Sequence, residues 1–445
     1  MSEWPTKTLG EICREGDGFI RTGPFGSQLH RSDYTDDPNG IPVVMPKDMA
    51  RGRIDTASIA RIDDETADRL KQHLLSANDL VLARRGDVGR TAWVFEEDLP
   101  AFCGTGSMRV HPGKSESVRP SFLRFFFQTK LASDYLEGHA VGATMPNLNA
   151  GIVESLPVPI PPLPNQDSLI PVLEAFDELI ENNRRRVEVL EEMARVIYRE
   201  WFVKFRYPGH DAVPLVDSAL GPIPQGWGTR RLREYVSTQY GYTESASTTR
   251  VGPKYLRGMD INKASFIDWS KVPFCPIEEV AAEKFRIRLG DVFVIRMADP
   301  GKVGICEEDV DAVFASYLVR LRPLSELLRP YYLFFTLSDS EYQGWITGAS
   351  TGATRKSVSA KVMTEPCVVL PPAALQLQFE SVIGPIRANM STLVNKNAKL
   401  SELRDLLLPK LVTGQIDVST LDLDALVSTG STDVELGSTA GVGVA

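Results

Sequence analysis

The sequence predicts an α+β protein with two strand-rich domains, joined and separated by two long antiparallel coiled-coil helices and related by internal duplication as a pseudo-two-fold pair. Three observations carry this expectation. Motifs recur at a nearly constant interval, short apolar runs alternate with turn residues, and two long stretches place apolar residues every three or four positions.

The recurrence is the strongest signal. Gly142-Ala143-Thr144 returns as Gly352-Ala353-Thr354, Pro161-Pro162 as Pro371-Pro372 and Gln166 as Gln376, each pair 210 residues apart. Upstream, WPTKTL at 4–9 is echoed by WGTRRL at 227–232, and NDLVLARRGDVGRTAWV at 78–94 by GDVFVIRMADPGKVGICE at 290–307. A period of this size marks a repeated structural unit. At 445 residues the chain exceeds a single core, so several domains are expected.

Taken in order, residues 1–160 form the first strand-rich domain. Its runs IPVV, DLVLA, TAWVF and SMRVH are four to five residues long and bounded by Gly, Pro, Asp and Asn, as short strands between turns require. The aromatic stretch FLRFFFQT at 122–129 reads as a helix packed on those strands, and YYLFFTL at 331–337 is its counterpart. Residues 161–206 form the first long helix, with a seam at Leu169, Val172, Phe176, Leu179, Asn183, Val187, Leu190, Ala194, Ile197 and Trp201. The Pro- and Gly-rich 207–226 connects to the second strand-rich domain at 227–370. The second helix covers 371–418, with a seam at Phe379, Ile383, Ile386, Met390, Leu393, Asn397, Leu400, Leu403, Leu407 and Leu411. About 38 residues at 1.5 Å each give a helix of roughly 55–60 Å, whose stripe must find a partner. The comparable stripe belongs to the other helix, and the order domain–helix–domain–helix pairs the two antiparallel. Asn183 and Asn397 fall in the seams, where amides fix register. The helix starts are expected to differ, because Ala373-Ala374 stands where the first copy has Leu163-Pro164. Residues 419–445, rich in Ser, Thr, Gly and acid, read as a disordered tail.

Composition narrows the function. With 43% hydrophobic and 24% charged residues the chain is of ordinary globular type, and no run of about eighteen apolar residues exists to cross a membrane. Five cysteines without CxxC spacing argue for neither disulfides nor zinc, which points to a cytoplasmic setting. The net charge of −9 disfavours indiscriminate nucleic-acid binding, although residues 226–370 alone carry +2 against −4 for 1–155. No GxxxxGK[ST] or HExxH motif occurs, and no catalytic constellation is found. A protein scaffold that joins partners through its helices is the alternative to a DNA reader at this point.

Several stretches then resemble one family. RTGPFGSQLHRSDY at 21–34 with GIPVV at 40–44, PIPPLPNQ at 159–166, LGPIPQGW at 220–227 and LRDLLLPKLVTGQIDVS at 403–419 are similar to segments of the specificity subunits of type I restriction–modification systems. The resemblance spans about residues 4–418. It implies two target-recognition domains, each reading one half of a split asymmetric site on double-stranded DNA, and a helix pair that sets the gap. It also implies a non-catalytic chain without cofactors of its own. Two methyltransferase subunits and restriction–translocase subunits would be the partners, holding S-adenosylmethionine, ATP and Mg.

Base reading calls for paired donors and acceptors on exposed loops, and phosphate contacts call for cations. In the first domain the candidates are Ser27, Gln28, His30 and Arg31 after the Gly23–Gly26 turn; Arg84, Arg85 and Arg90 around Gly86 and Gly89; and Asn147 and Asn149 after the repeated GAT. In the second they are Tyr240, Tyr242 and Thr243, Lys254 and Arg257, Arg296 and Lys302, and Arg355 with Lys356. Each cation reads equally as a solvated charge, and Tyr240 and Tyr242 equally as core. One of Arg84 and Arg85 is expected to pair with Asp79 or Asp87.

Overall fold

A computed structural model describes residues 4–416, apart from 51, 143–144, 263–265 and 351–356. The expected tail and the Arg355–Lys356 pair therefore lie outside the described residues. The chain divides into two compact units: residues up to Ile180 with those from Lys399 onward, and Glu181–Ala398.

In the first unit a four-stranded antiparallel sheet runs in the order Phe19–Thr22, Ser107–His111, Leu80–Ala83, Thr91–Trp93. Every residue of Leu80–Ala83 is buried. Leu80 and Leu82 face a core made with Phe122, Phe125 and Phe126, while Val81 and Ala83 face a second core with Val44 and Val94. A strand covered on both faces reads as a continuous apolar run rather than an alternating one. A second four-stranded sheet is ordered Phe102–Cys103, Ile41–Val44, Arg61–Ile62, Tyr34–Thr35.

The second unit repeats this plan. Val236–Tyr240, Leu318–Pro323, Val292–Ile295 and Val303–Ile305 form a sheet of the same order. Val292 and Val294 pack beneath the helices, and Phe293 and Ile295 face the opposite core. Each central strand is preceded by a buried acid. Asp79 lies 2.6 Å from Arg109 Nε and 2.7 Å from His111 Nδ1. Asp291 takes both Nε and Nη2 of Arg322, at 2.5 and 2.6 Å, with Arg320 at 3.5 Å. A buried carboxylate needs such partners to stay charged.

The long helices are Leu163–Tyr198 and Ala373–Val412, and each unit holds part of both. In the first unit Leu169 and Leu173 share a core with Leu408, Leu411 and Val412, and Asp177 bonds Arg404 at 3.0 Å. In the second, Asn183 Nδ2 donates to Asn397 Oδ1 at 2.9 Å, and Val187 packs with Met390 and Leu393. Numbers rise on one helix as they fall on the other, so the pairing is antiparallel within each unit. The seam differs in detail from expectation: Leu173 and Ile180 are buried where Val172 and Leu179 were expected, and Leu403 is exposed while Leu408 is buried. The inward face is set by packing on each unit's strand-rich part as well as on the other helix, so a strict seam spacing misplaces some positions.

The repeated glutamine has one job in both units. Gln166 is fully buried; its Oε1 accepts from Arg119 N at 2.8 Å, and its Nε2 donates to Ser117 O and Pro161 O at 2.9 and 2.8 Å. Gln376 does the same with Arg329 N, Leu327 O and Pro371 O at 2.9, 2.9 and 2.8 Å. Each glutamine ties the helix start to the loop before the aromatic helix, satisfying three backbone groups that burial would otherwise orphan. Ala373-Ala374 leaves this arrangement unchanged, contrary to the expected difference. The connector at 207–226 also has structure: Leu215–Val216 pairs with Ile223–Pro224, and Tyr207, Ile223 and Trp227 enter the core.

Candidate nucleic-acid interface

Three loops meet at one end of the central strand in the first unit. The strand Leu80–Ala83 ends at Arg84, whose backbone is held on both sides: its N–H donates to Gly106 O and its carbonyl accepts from Leu148 N, both at 2.9 Å. Arg85 forms a bridge with Asn147, and Gly86, at φ 78°, donates to Pro146 O at 3.1 Å. A left-handed conformation there favours glycine. The Arg84 guanidinium lies 5.4 Å from the ring of Phe25, an exposed aromatic in the turn that carries Ser27 and Gln28. The loops at 23–31, 84–90 and 145–149 are thereby brought together.

The candidates divide by what already occupies them. Gln28 Oε1 accepts from Phe25 N at 2.9 Å and closes its own turn. His30 and Arg31 are exposed at the start of the short helical turn Arg31–Asp33, as is Ser27 before them. Arg90 is paired with Asp87 at 2.6 Å. Asn149 caps the helix Ala150–Glu154 through Ile152 N, at 2.9 Å, whereas Asn147 Oδ1 is buried and unpartnered. The expected pairing of Arg84 or Arg85 with Asp79 or Asp87 is not what forms: Asp79 is taken by Arg109 and His111, and Asp87 by Arg90. Burial, followed by the charge of Arg85, lowers the pKa of Arg84.

The second unit builds the same junction from other side chains. Val292–Ile295 leads into Arg296, whose N–H donates to Tyr317 O at 2.9 Å and whose carbonyl accepts from Val358 N at 2.8 Å. Met297 bridges Ser357, and the Arg296 guanidinium lies 4.8 Å from the Tyr240 ring. Tyr240 Oη accepts from Ala360 N at 3.0 Å, so this ring is anchored where Phe25 is not. Beside the junction, Thr243, Arg257, Met259, Met297, Asp299 and Tyr317 line a cavity of about 400 Å³.

Among the other candidates here, Tyr242 packs as core, 5.3 Å from Phe285. Lys254 Nζ donates to Val272 O at 2.7 Å and lies over Phe274. Arg257 grips Asp260 through two nitrogens at 2.8 and 3.0 Å, which raises its pKa. Lys302 is exposed and lines a separate cavity of about 300 Å³ with Arg195 and Arg387. The sequence reading passed over Phe25, Met259, Asp299 and Tyr317. Large exposed apolar groups such as Met259, 68% exposed, are visible only once the fold shows which runs stay uncovered.

Among the described residues no group of three or more His, Cys, Asp or Glu could hold a metal, and no helix is long and apolar enough to cross a membrane.

The same chain compares closely in length and plan with known proteins. Residues 1–192 match the family model described as the type I restriction modification DNA specificity domain. The specificity subunit of the type I restriction enzyme MjaIX from Methanocaldococcus jannaschii is 24% identical over 440 residues, covering 94% of this chain and 95% of that one. The EcoBI specificity subunit from Escherichia coli is 20% identical over 411 residues, covering 88% of this chain and 83% of the other. In fold, the S subunit of a type I system from M. genitalium aligns with a TM-score of 0.53 at 15% identity, across 92% of this chain and 96% of that one. The duplicated sheet, the two long helices and these likenesses agree: over nearly its full length the chain is similar to DNA specificity subunits of type I restriction–modification systems, and its residues 1–192 match that family's domain.

Proposed function

We propose that each unit reads one half of a split, asymmetric DNA site, through target-recognition domains at 1–160 and 227–370, and that the helix pair sets the gap between the halves. One observation carries this reading. The two units present the same three-loop junction at the end of the same strand, with diverged side chains around it: Arg85, Gly86 and Asp87 in one, Met297, Ala298 and Asp299 in the other. A shared platform with different side chains suits two half-sites of different sequence, since base edges are told apart by donor and acceptor pattern. Ser27, His30, Arg31, Arg85 and Asn147 serve the first half-site, and Thr243 and Asp299 the second. Arg355 and Lys356, which follow the second GAT in sequence, join them.

Methylation and cleavage belong to partner subunits: two methyltransferases that flip and modify a base, and a restriction–translocase subunit. The outward positions Val189, Met193 and Val196 of the first helix are exposed apolar groups at steps of four and three, and they support docking of a partner there. The test is to co-express the chain with the methyltransferase encoded beside it and map N6-methyladenine across the host DNA. A split motif with a fixed gap and unlike halves is the expected result. No new methylation from a complex shown to assemble overturns the reading.

A further inference from the structure

Arg84 and Arg296 form an element that the divergence of the loops has not touched. Each is the first residue after the central strand, and each has its backbone fixed by a hydrogen bond to either neighbour. Each guanidinium lies against one aromatic ring, Phe25 at 5.4 Å and Tyr240 at 4.8 Å. Each keeps a buried Nε–H without an acceptor, and among the described residues neither has a carboxylate partner. A half-buried, uncompensated cation with an idle donor is costly to maintain in a folded protein. Keeping it twice, at the same place after the central strand, suggests an anion that completes it.

Resting on the DNA-reading function above, we propose that Arg84 on Phe25 and Arg296 on Tyr240 are two copies of one phosphate clamp. Each grips a backbone phosphate of its own half-site and sets the register from which the diverged neighbours read bases. The reasoning is one of information. Phosphate contacts position a protein without specifying sequence, whereas base contacts specify. An element kept the same in two units that face different half-sites carries no sequence information, so it belongs to the backbone. Arginine suits the task through its planar fork of donors and its affinity for aromatic faces. Phe25 and Tyr240 are positioning residues that hold the fork in plane.

The test uses the full chain assembled with its methyltransferase, on duplexes with and without the methylated site, between 50 and 200 mM salt. Arg84→Met and Arg296→Met should each weaken both duplexes by about 10- to 100-fold and make the slope of log affinity against log salt shallower by about 0.9. The methylated motif should stay the same. Phe25→Leu and Tyr240→Leu should act in the same direction to a smaller extent. Arg84→Lys, which keeps the charge and tests the fork if the methionine variant unfolds, should retain the slope while losing affinity. A motif that relaxes at one position makes these arginines base readers and overturns the clamp. Affinity lost at an unchanged slope in the methionine variants makes their role structural, which also overturns it. Wild-type complex that binds no duplex overturns the DNA-reading function itself, whereas normal wild-type binding with unaffected variants overturns the clamp alone.

Discussion

Gln166 and Gln376 make the same three hydrogen bonds 210 residues apart, whereas the loops that follow Arg84 and Arg296 share few side chains. The helix start is a problem of covalent geometry and burial with one solution, so duplication leaves it alone. The loops face outward, and their side chains are free to change without loss of the frame. The buried acids fall between these extremes. Asp79 and Asp291 hold the same place, but one is paired with an arginine and a histidine and the other with two arginines. Position in the frame is kept, and chemistry drifts within what the frame tolerates.

The largest effect expected from this contrast is at the glutamines. Gln166→Leu or Gln376→Leu leaves one amide and two carbonyls buried without partners. At about 1–3 kcal/mol for each orphaned group, part of it relieved by relaxation, roughly 3–5 kcal/mol should be lost in chemical denaturation. Equal losses from the two variants would support a frame shared between the units; a loss from one alone would break the comparison.

Next come the acids. Asp291→Asn strands two arginines, Arg320 and Arg322, while Asp79→Asn strands a single one, Arg109. Removing one partner of a buried ion pair costs about 3–5 kcal/mol, so Asp291→Asn should sit at that level and Asp79→Asn below it. Denaturation midpoints of the two variants in one buffer decide the order.

A smaller difference separates the units in acid. Burial, with the nearby charges of Arg21 and Arg109, lowers the pKa of His73 to about 4 from an ordinary 6.5. The unfolded chain therefore takes up this proton first, and the folded state holds its full advantage above about pH 6.5. That advantage is lost as the pH falls towards 4. At about 1.4 kcal/mol per pKa unit this amounts to at most about 3.5 kcal/mol in the first unit. His73→Gln should flatten that part of the stability–pH curve, and an unchanged slope would contradict the assignment.

The smallest effect is chemical. Of the five cysteines only Cys367 is exposed, and burial raises the thiols of Cys13, Cys103 and Cys306 to about 12. A thiol reagent should label the native chain once, quickly, at Cys367 in the second unit. Fast labelling of a second site would show that one of the buried positions opens.

The duplicated α+β plan was legible because its causes are periodic: turn-bounded apolar runs, helical stripes and a fixed offset. The role of Gln166 was not, since three hydrogen bonds to distant backbone groups leave no pattern in sequence. The helix seams were legible in type but not at every position. Val172 and Leu179 fit the spacing, yet Leu173 and Ile180 are the buried ones, because the strand-rich part of the unit competes for the helix face. At the interface the loops were identifiable by Gly turns and cations. Their occupancy was not: Arg90 is paired with Asp87, Arg257 with Asp260, and Lys254 with a carbonyl. Phe25 went unnoticed because a lone phenylalanine in a Gly-rich turn looks like core until its neighbours are in place.

The most direct test of one unit for each half-site is to map N6-methyladenine for wild type, Arg85→Ala and Asp299→Ala, each co-expressed with the methyltransferase. The account predicts that each variant alters or relaxes one half of the split motif, a different half for each, while the other half and the gap stay as in wild type. Changes in both halves from either variant, or in the same half from both, would contradict it.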